Sequence, residues 1–324
     1  MHKYFLIPII IFFITICLIV IYLQFFYVDW KWSIIPDNFD VYKETYKEKK
    51  LPEICNDEDD RVQIIKLQKD ILKKRTFKDK IDNSLLPQIH AVYLLPCDAE
   101  DRKFDINGHI RYSIQSINNW LLDKTENQIL NFDKIENNQV DITFIRVNKS
   151  INWFTKYNTI ENRNNDASAK IEKIILNNKK IFNNFNNKKF IVFFEGWEKR
   201  RSIINKVCGR SKFNGKVAIF YTSEKNTKIK SCTLDNLNNS ILEKFGESEE
   251  TILHEILHTL GAPSKCGKNV DLKKSLHVND NDNDIMNSVS GSIYLDFNND
   301  DYYKHNISNC PDLFLSEYLI NLGN

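Results

Sequence analysis

The sequence predicts an α+β domain of about 240 residues, α/β-like in its first part, behind a membrane-spanning N-terminal helix. Three observations predict it. Short apolar runs alternate with helical periodicity between residues 88 and 261; the chain from 262 onward is rich in polar turns; and the first 28 residues are almost wholly apolar. Charge narrows the function. With Lys+Arg 45 against Asp+Glu 43 and a net charge of +2, no basic face gathers nucleic acid, and none is expected as a partner. A chain that is 42% hydrophobic and 27% charged is neither collagen-like nor low-complexity.

Residues 4–28 carry only Thr15 and Gln24 as polar side chains, and a bilayer core needs about 20 apolar residues in a helix. Bulky Leu23, Phe25, Phe26 and Tyr27 run straight into Trp30 and Trp32, with no small-residue cleavage site, so 1–28 reads as an uncleaved anchor. If the segment is cleaved, the product is secreted. Residues 29–86 read as a charged stalk with one helix around Asp60 to Lys74. The Lys residues after the anchor are interleaved with Asp and Glu, and the positive-inside count does not favour exporting the C-terminus. Cysteine usage argues for export. Beyond Cys17 in the apolar segment, six cysteines (55, 97, 208, 232, 266, 310) are dispersed without CxxC pairs, as suits disulfides in an oxidising compartment. Cys208 with Cys232 and Cys266 with Cys310 are neighbours in sequence, although six cysteines allow 15 connectivities.

The domain spans 87–324, as an N-terminal subdomain (87–261) and a mainly irregular C-terminal one (262–324). Ile89 to Leu95 is a short apolar run ending at Pro96 and reads as a buried strand. Ile110, Ile114, Ile117, Trp120 and Leu121 space a helix over 110–122. Strands follow at 141–147, 190–194 and 217–221, with a helix over 166–182 between the first two of them.

Glu249 to Gly261 (EETILHEILHTLG) forms the next helix, with Leu253, Ile256, Leu257 and Leu260 as its buried stripe. His254 and His258, four apart, lie on one face a turn apart, so both imidazoles can reach one ion at about 2.0–2.1 Å. Glu255 sits beside them, placed to handle a proton, and Gly261 ends the helix.

The HExxHxxG stretch from His254 to Gly261 resembles the metzincin branch of zinc metallopeptidases, whose third histidine follows three residues after the glycine and whose Met-turn passes beneath the metal. That position is Ser264 here, a poor zinc ligand. His277 offers the alternative: it stands in LHVNDNDNDIMN, shortly before Met286, the one methionine besides Met1. The run HEILHTLGAPSKC, HVNDNDNDIM, LDFNNDDYYKH and CPDLFLSEYL also resembles a group of bacterial secreted metzincin-like proteins, and residues 93–121 look like the opening of the same domain. That resemblance covers the chain from about residue 88 and implies a zincin-like fold, zinc as cofactor, His277 as third ligand and Met286 as the Met-turn residue. Where the pattern has tyrosine after the methionine, this chain has Asn287.

Other assignments are weighed on chemistry. Asp284, Asp301 and His305 are candidates to support the ligating imidazoles, with Asp296 and Asp300 as further members of the same polar stretch, or to close the C-terminal subdomain. His305, in DDYYKH, could also be a ligand; a glutamate third ligand would have to be Glu317, near the chain's end, and His90 and His109 read as structural. The Asp280, Asp282, Asp284 alternation departs from a calcium loop, with Ile285 where glycine is needed and Gly291 where glutamate is needed.

The expected activity is peptide-bond hydrolysis on the extracytoplasmic side of a membrane, with Glu255 as general base for a zinc-activated water and a peptide or protein as substrate. Two alternatives stand beside it. One is a membrane-tethered binding or adhesion module with a structural zinc and no catalysis, motivated by Ser264 and Asn287; the other is zinc-dependent hydrolysis of a non-peptide amide.

Overall fold

The structure is a computed structural model that describes residues 55–58, 61–65, 75–81, 84, 86–135, 138–155, 166–199, 206–222, 245–272, 276–288 and 291–322. The chain divides into two units, 1–52 and 53–324, and the first lies wholly outside the described residues. The anchor expected over 1–28 therefore lies outside them too; among the described residues no helix is long and apolar enough to cross a membrane.

The second unit is built on β1 (Gln88–Leu95), α1 (His109–Thr125), β2 (Gln128–Leu130), β3 (Ile142–Arg146), α2 (Ile151–Thr155), α3 (Ala167–Asn177) and β4 (Lys188–Phe194). There follow β5 (Glu198–Lys199), β6 (Lys206–Val207), β7 (Gly209–Ser211), β8 (Val217–Tyr221), α4 (Glu247–Thr259), β9 (Val270–Asp271), β10 (His277–Val278) and β11 (Leu319–Asn321). The main sheet has the order β3-β1-β4-β8-β7, parallel except for β7. This is the mixed α/β arrangement that the spacing of apolar runs implies, and each expected strand is present.

The four parallel strands are mostly apolar because both sheet faces are covered. Ala91, Tyr93 and Leu95 point to one face, where they join Ile110, Ile114 and Ile117 of α1 and Ile252, Leu253, Ile256 and Leu257 of α4. Val92 and Leu94 point to the other, against Phe154 and Ile171, Ile174 and Ile175 of α3. The period of two along a strand thus divides one apolar run between two cores. Helix α3 is shorter than the expected 166–182: Asp166 caps it, accepting from Ala169 N–H at 2.8 Å, and it ends at Asn177 before a separate 3₁₀ turn.

The stretch read as a stalk differs in the structure. Arg61–Ile65, expected to begin a helix, is extended, and Ile64 and Thr76 form bridges to Val147 and Thr143. Ile65 N–H donates to Arg146 O at 2.7 Å and Phe144 N–H to Thr76 O at 2.7 Å. The physical reason is the open edge of β3, whose backbone groups need partners. A disulfide, Cys55–Cys97, ties the same segment to the end of β1. The remainder of the expected helix lies outside the described residues.

Under the sheet's N-terminal end a buried polar cluster accounts for His90. Its Nδ1 lies 2.7 Å from Asp133 Oδ2 and its Nε2 2.8 Å from Thr143 Oγ1, while Lys188 Nζ bonds Asp79 at 2.8 Å and also Asp133. Burial pushes the Asp79 carboxyl up to about 6. His109 is likewise structural, with Nδ1 2.7 Å from Asn107 Oδ1.

Residues 262–322 are largely irregular, as expected, and return to the first subdomain through antiparallel pairing of β11 with β2. The Cys266–Cys310 disulfide closes a separation of 44 residues in this region. Cys208 is also disulfide-bonded, and Cys232 lies outside the described residues. Where regular ladders are few, a covalent closure carries more of the order. Replacing Cys266 and Cys310 together by Ser is expected to lower unfolding free energy by about 2–4 kcal/mol. Denaturant unfolding checks this, and a midpoint equal to wild type would contradict it.

Candidate metal centre

Helix α4 begins where Gly246 N–H donates to the Glu249 side chain at 3.1 Å, and Ser113 Oγ–H of α1 donates to Glu249 Oε1 at 2.7 Å. Gly291 N–H donates to Glu250 at 2.9 Å. The two glutamates thereby fix the helix to α1 and to the C-terminal subdomain, and their charge suits its first turn.

His254 and His258 project from the far end of α4, and β10 brings His277 against them. Its Nε2 lies 3.1 Å from His254 Nε2 and 3.4 Å from His258 Nε2. Tetrahedral coordination at a Zn–N distance of about 2.0–2.1 Å places two ligating nitrogens about 3.3 Å apart. The three imidazoles therefore fit one zinc-sized cation. Their protonation fits as well. His254 Nδ1–H donates to Ile285 O at 2.6 Å and His258 Nδ1–H to Ala262 O at 3.0 Å, which leaves each Nε2 as a lone pair facing the others. Burial pushes both imidazoles below the ordinary histidine value, reinforced at His258 by the neighbouring His254 and His277. Neutral imidazole is the ligating form.

The two carbonyls come from turns that the sequence makes possible. Gly261, at φ +90°, reverses the chain after α4, so that Ala262 O returns to His258. Ile285 precedes Met286, which is fully buried in the core with Leu257 and Val278, and Val278 N–H donates to Met286 O at 3.0 Å. The Met286 turn thus lies against the strand that carries His277 and holds His254 through its neighbour.

Asp284 fastens that turn. It accepts from Met286 N–H, Phe297 N–H and Tyr302 Oη–H, each at 2.7 Å, and burial pushes its carboxyl up to about 6. Asp301 accepts from Asn269 N–H, and Asp296 accepts from the backbone of 300–303, with burial pushing it up to about 7. These bonds of the aspartates therefore close the C-terminal subdomain. His305 does the same: its Nε2–H donates to Pro311 O at 3.0 Å and its Nδ1 accepts from Ile307 N–H at 3.0 Å. Ser264 Oγ lies 2.8 Å from Cys266 Sγ and 2.9 Å from Cys310 Sγ, beside the disulfide. Asn287 Nδ2–H donates to Asn281 O at 3.1 Å. Among the described residues, the group that converges with His254 and His258 contains His277 and neither His305 nor Glu317.

Loss of the Asp284 carboxylate, in Asp284→Ala, is expected to weaken metal affinity about 10–100-fold through the released Ile285 carbonyl, with the fold retained. Competition against a chelator of known affinity measures this. Unchanged affinity would remove Asp284 from the support of the site.

Glu255 follows His254 and is buried against β7, where Ser211 Oγ–H donates to its Oε2 at 2.6 Å. Sequence reasoning did not find Ser211 or Gly209, because a three-residue strand reading Gly-Arg-Ser has no apolar alternation to mark it. It also did not find Tyr302, whose hydroxyl binds Asp284 and accepts from Asp296 N–H at 2.7 Å.

Fold and site together define a mixed α/β domain with a candidate three-histidine metal centre. No family model matches the chain, and no curated protein matches it. Among solved structures it is similar to OgpA from Akkermansia muciniphila. The catalytically inactive form, in complex with an O-glycopeptide (glycodrosocin) substrate, gives a TM-score of 0.34 at 13% identity, over 60% of this chain and 52% of that chain. Wild-type OgpA gives 0.32 at 12% identity over the same shares. The chain spans about half the length of these structures.

Proposed function

We propose that this chain is a zinc-dependent endopeptidase of metzincin type, tethered by residues 4–28 with its catalytic domain outside the cytoplasm. The observation that carries the reading is the meeting of three imidazole Nε2 atoms at 3.1 and 3.4 Å, two of them on the helix that also carries the Glu255 carboxylate. Such a set leaves one tetrahedral position open, as a catalytic site requires. The Cys55–Cys97 and Cys266–Cys310 disulfides and the bonded Cys208 support an oxidising compartment.

His254, His258 and His277 would hold the ion, and when bound, zinc supplies Lewis acidity toward a water and a substrate carbonyl. Glu255 takes the proton of the attacking water and returns it to the leaving nitrogen, so that one water is consumed and the peptide C–N bond breaks. Ile285 O and Ala262 O keep the ligands oriented through both steps. Strand β7 is one of the two outer strands of the main sheet among the described residues, and Glu255 lies against it. An extended peptide pairing with that edge passes the carboxylate with its backbone aligned.

Hydrolysis of an unfolded protein by the purified chain tests the reading. Cleavage that a chelator abolishes and zinc restores is expected; cleavage indifferent to the chelator would overturn it.

A further inference from the structure

Ser211 and Gly209 are two residues apart on β7 and so face the same side of the strand, toward α4. Ser211 Oγ–H donates to Glu255 Oε2 at 2.6 Å. Gly209 makes the close approach possible. A Cβ placed on it would lie 2.5 Å from Glu255 Cγ, 2.8 Å from Thr251 Cγ2 and 2.9 Å from Glu255 Oε1, all closer than side chains pack, so that one of these groups must shift. Arg210, between them, points the other way, with its guanidinium 3.5 Å from Glu198 and 3.7 Å from Asp166. The strand therefore offers Glu255 a glycine gap and a hydroxyl donor on one face, while the Arg210 guanidinium is held by Glu198 and Asp166, with Glu255 a weaker electrostatic partner.

We propose that Ser211 is the positioning residue of the general base: its hydroxyl fixes the Glu255 carboxylate in one orientation, in the space that Gly209 leaves. This inference rests on the peptidase reading above. A glutamate side chain has three rotatable bonds, and each hydrogen bond that its carboxylate accepts narrows the rotamers it samples. A hydrogen bond to a charged acceptor is among the stronger ones, and a general base displaced by about 1 Å loses much of its effect. The bond also comes from the strand on which the substrate is aligned, so base and substrate share one frame.

The test compares wild type with Ser211→Ala, Ser211→Thr and Gly209→Ala, all zinc-loaded, by kcat and KM on one peptide and by zinc content. Crystal structures of the wild type and Ser211→Ala complete the comparison. Ser211→Ala is expected to lower kcat about 10-fold at unchanged KM, with one zinc retained and the Glu255 carboxylate in more than one orientation. Ser211→Thr, which keeps the hydroxyl, is expected to restore most of kcat. Gly209→Ala is expected to lower kcat about 100-fold by driving Glu255 off the strand, again with zinc retained. A wild-type peptidase whose Ser211→Ala variant keeps its kcat, or loses zinc together with activity, overturns this proposal and leaves the peptidase reading standing. A wild-type protein that binds zinc and cleaves nothing removes both.

Discussion

Replacing Glu255 by Gln is expected to leave about one zinc per chain and to lower kcat by about 10²- to 10⁴-fold, the range that a general acid–base group contributes. The expectation follows from the position of Glu255 on α4. Its neighbour His254 and the more distant His258 face His277, whereas Glu255 lies against β7 and bonds Ser211. Glutamine is nearly isosteric and can still accept from Ser211, so the helix and the histidines have no reason to move. It cannot take a proton from water. Single-turnover rates and metal analysis on the same preparation check the prediction, and a variant with wild-type kcat would remove Glu255 from the base role.

His277→Ala is the second large effect. Zinc affinity is expected to fall by more than the roughly 10–100-fold that follows loss of a group behind a ligand, because a ligand itself is lost. Two imidazoles from one helix would then hold the ion without their partner from β10. His277 lies on a two-residue strand paired to Val270–Asp271, outside the five-stranded sheet, so its side chain is not part of that sheet's pairing. Metal content after dialysis against a weak chelator, with circular dichroism to verify folding, measures the effect. Zinc retained at the wild-type level would place the third ligand elsewhere.

The site was legible in the sequence to the extent that its geometry is local. The four-residue separation of His254 and His258 fixes their relation within any α-helix, and α4 forms as Glu247–Thr259, two residues earlier at each end than its expected span. His277 is a different matter. It meets the helix across 19 residues from His258, through a turn and a two-residue hairpin that no periodicity announces. Its place came from its nearness to Met286 and from resemblance. The strands were legible as apolar runs, but the order β3-β1-β4-β8-β7 is a matter of pairing, which side-chain pattern does not encode for strands buried on both faces. Residues 61–65 misled because Val62 and Ile65 suit a helix face as well as an extended segment, and the hydrogen bonds offered by the β3 edge decided between them. The aspartates 284, 296 and 301 were recognisable as important polar residues. That they bind backbone amides of the turns rather than the imidazoles depended on a chain path that only tertiary structure defines.

The central claim is that three histidines hold one catalytic zinc with a position open to water. A crystal structure of the zinc-loaded protein, with anomalous scattering measured on both sides of the zinc edge, tests it most directly. One anomalous peak is expected about 2.0–2.1 Å from Nε2 of His254, His258 and His277, with a non-protein ligand in the fourth position. A fourth protein ligand closing the site would mark a structural zinc in a binding module, and a peak away from these three histidines would contradict the account altogether.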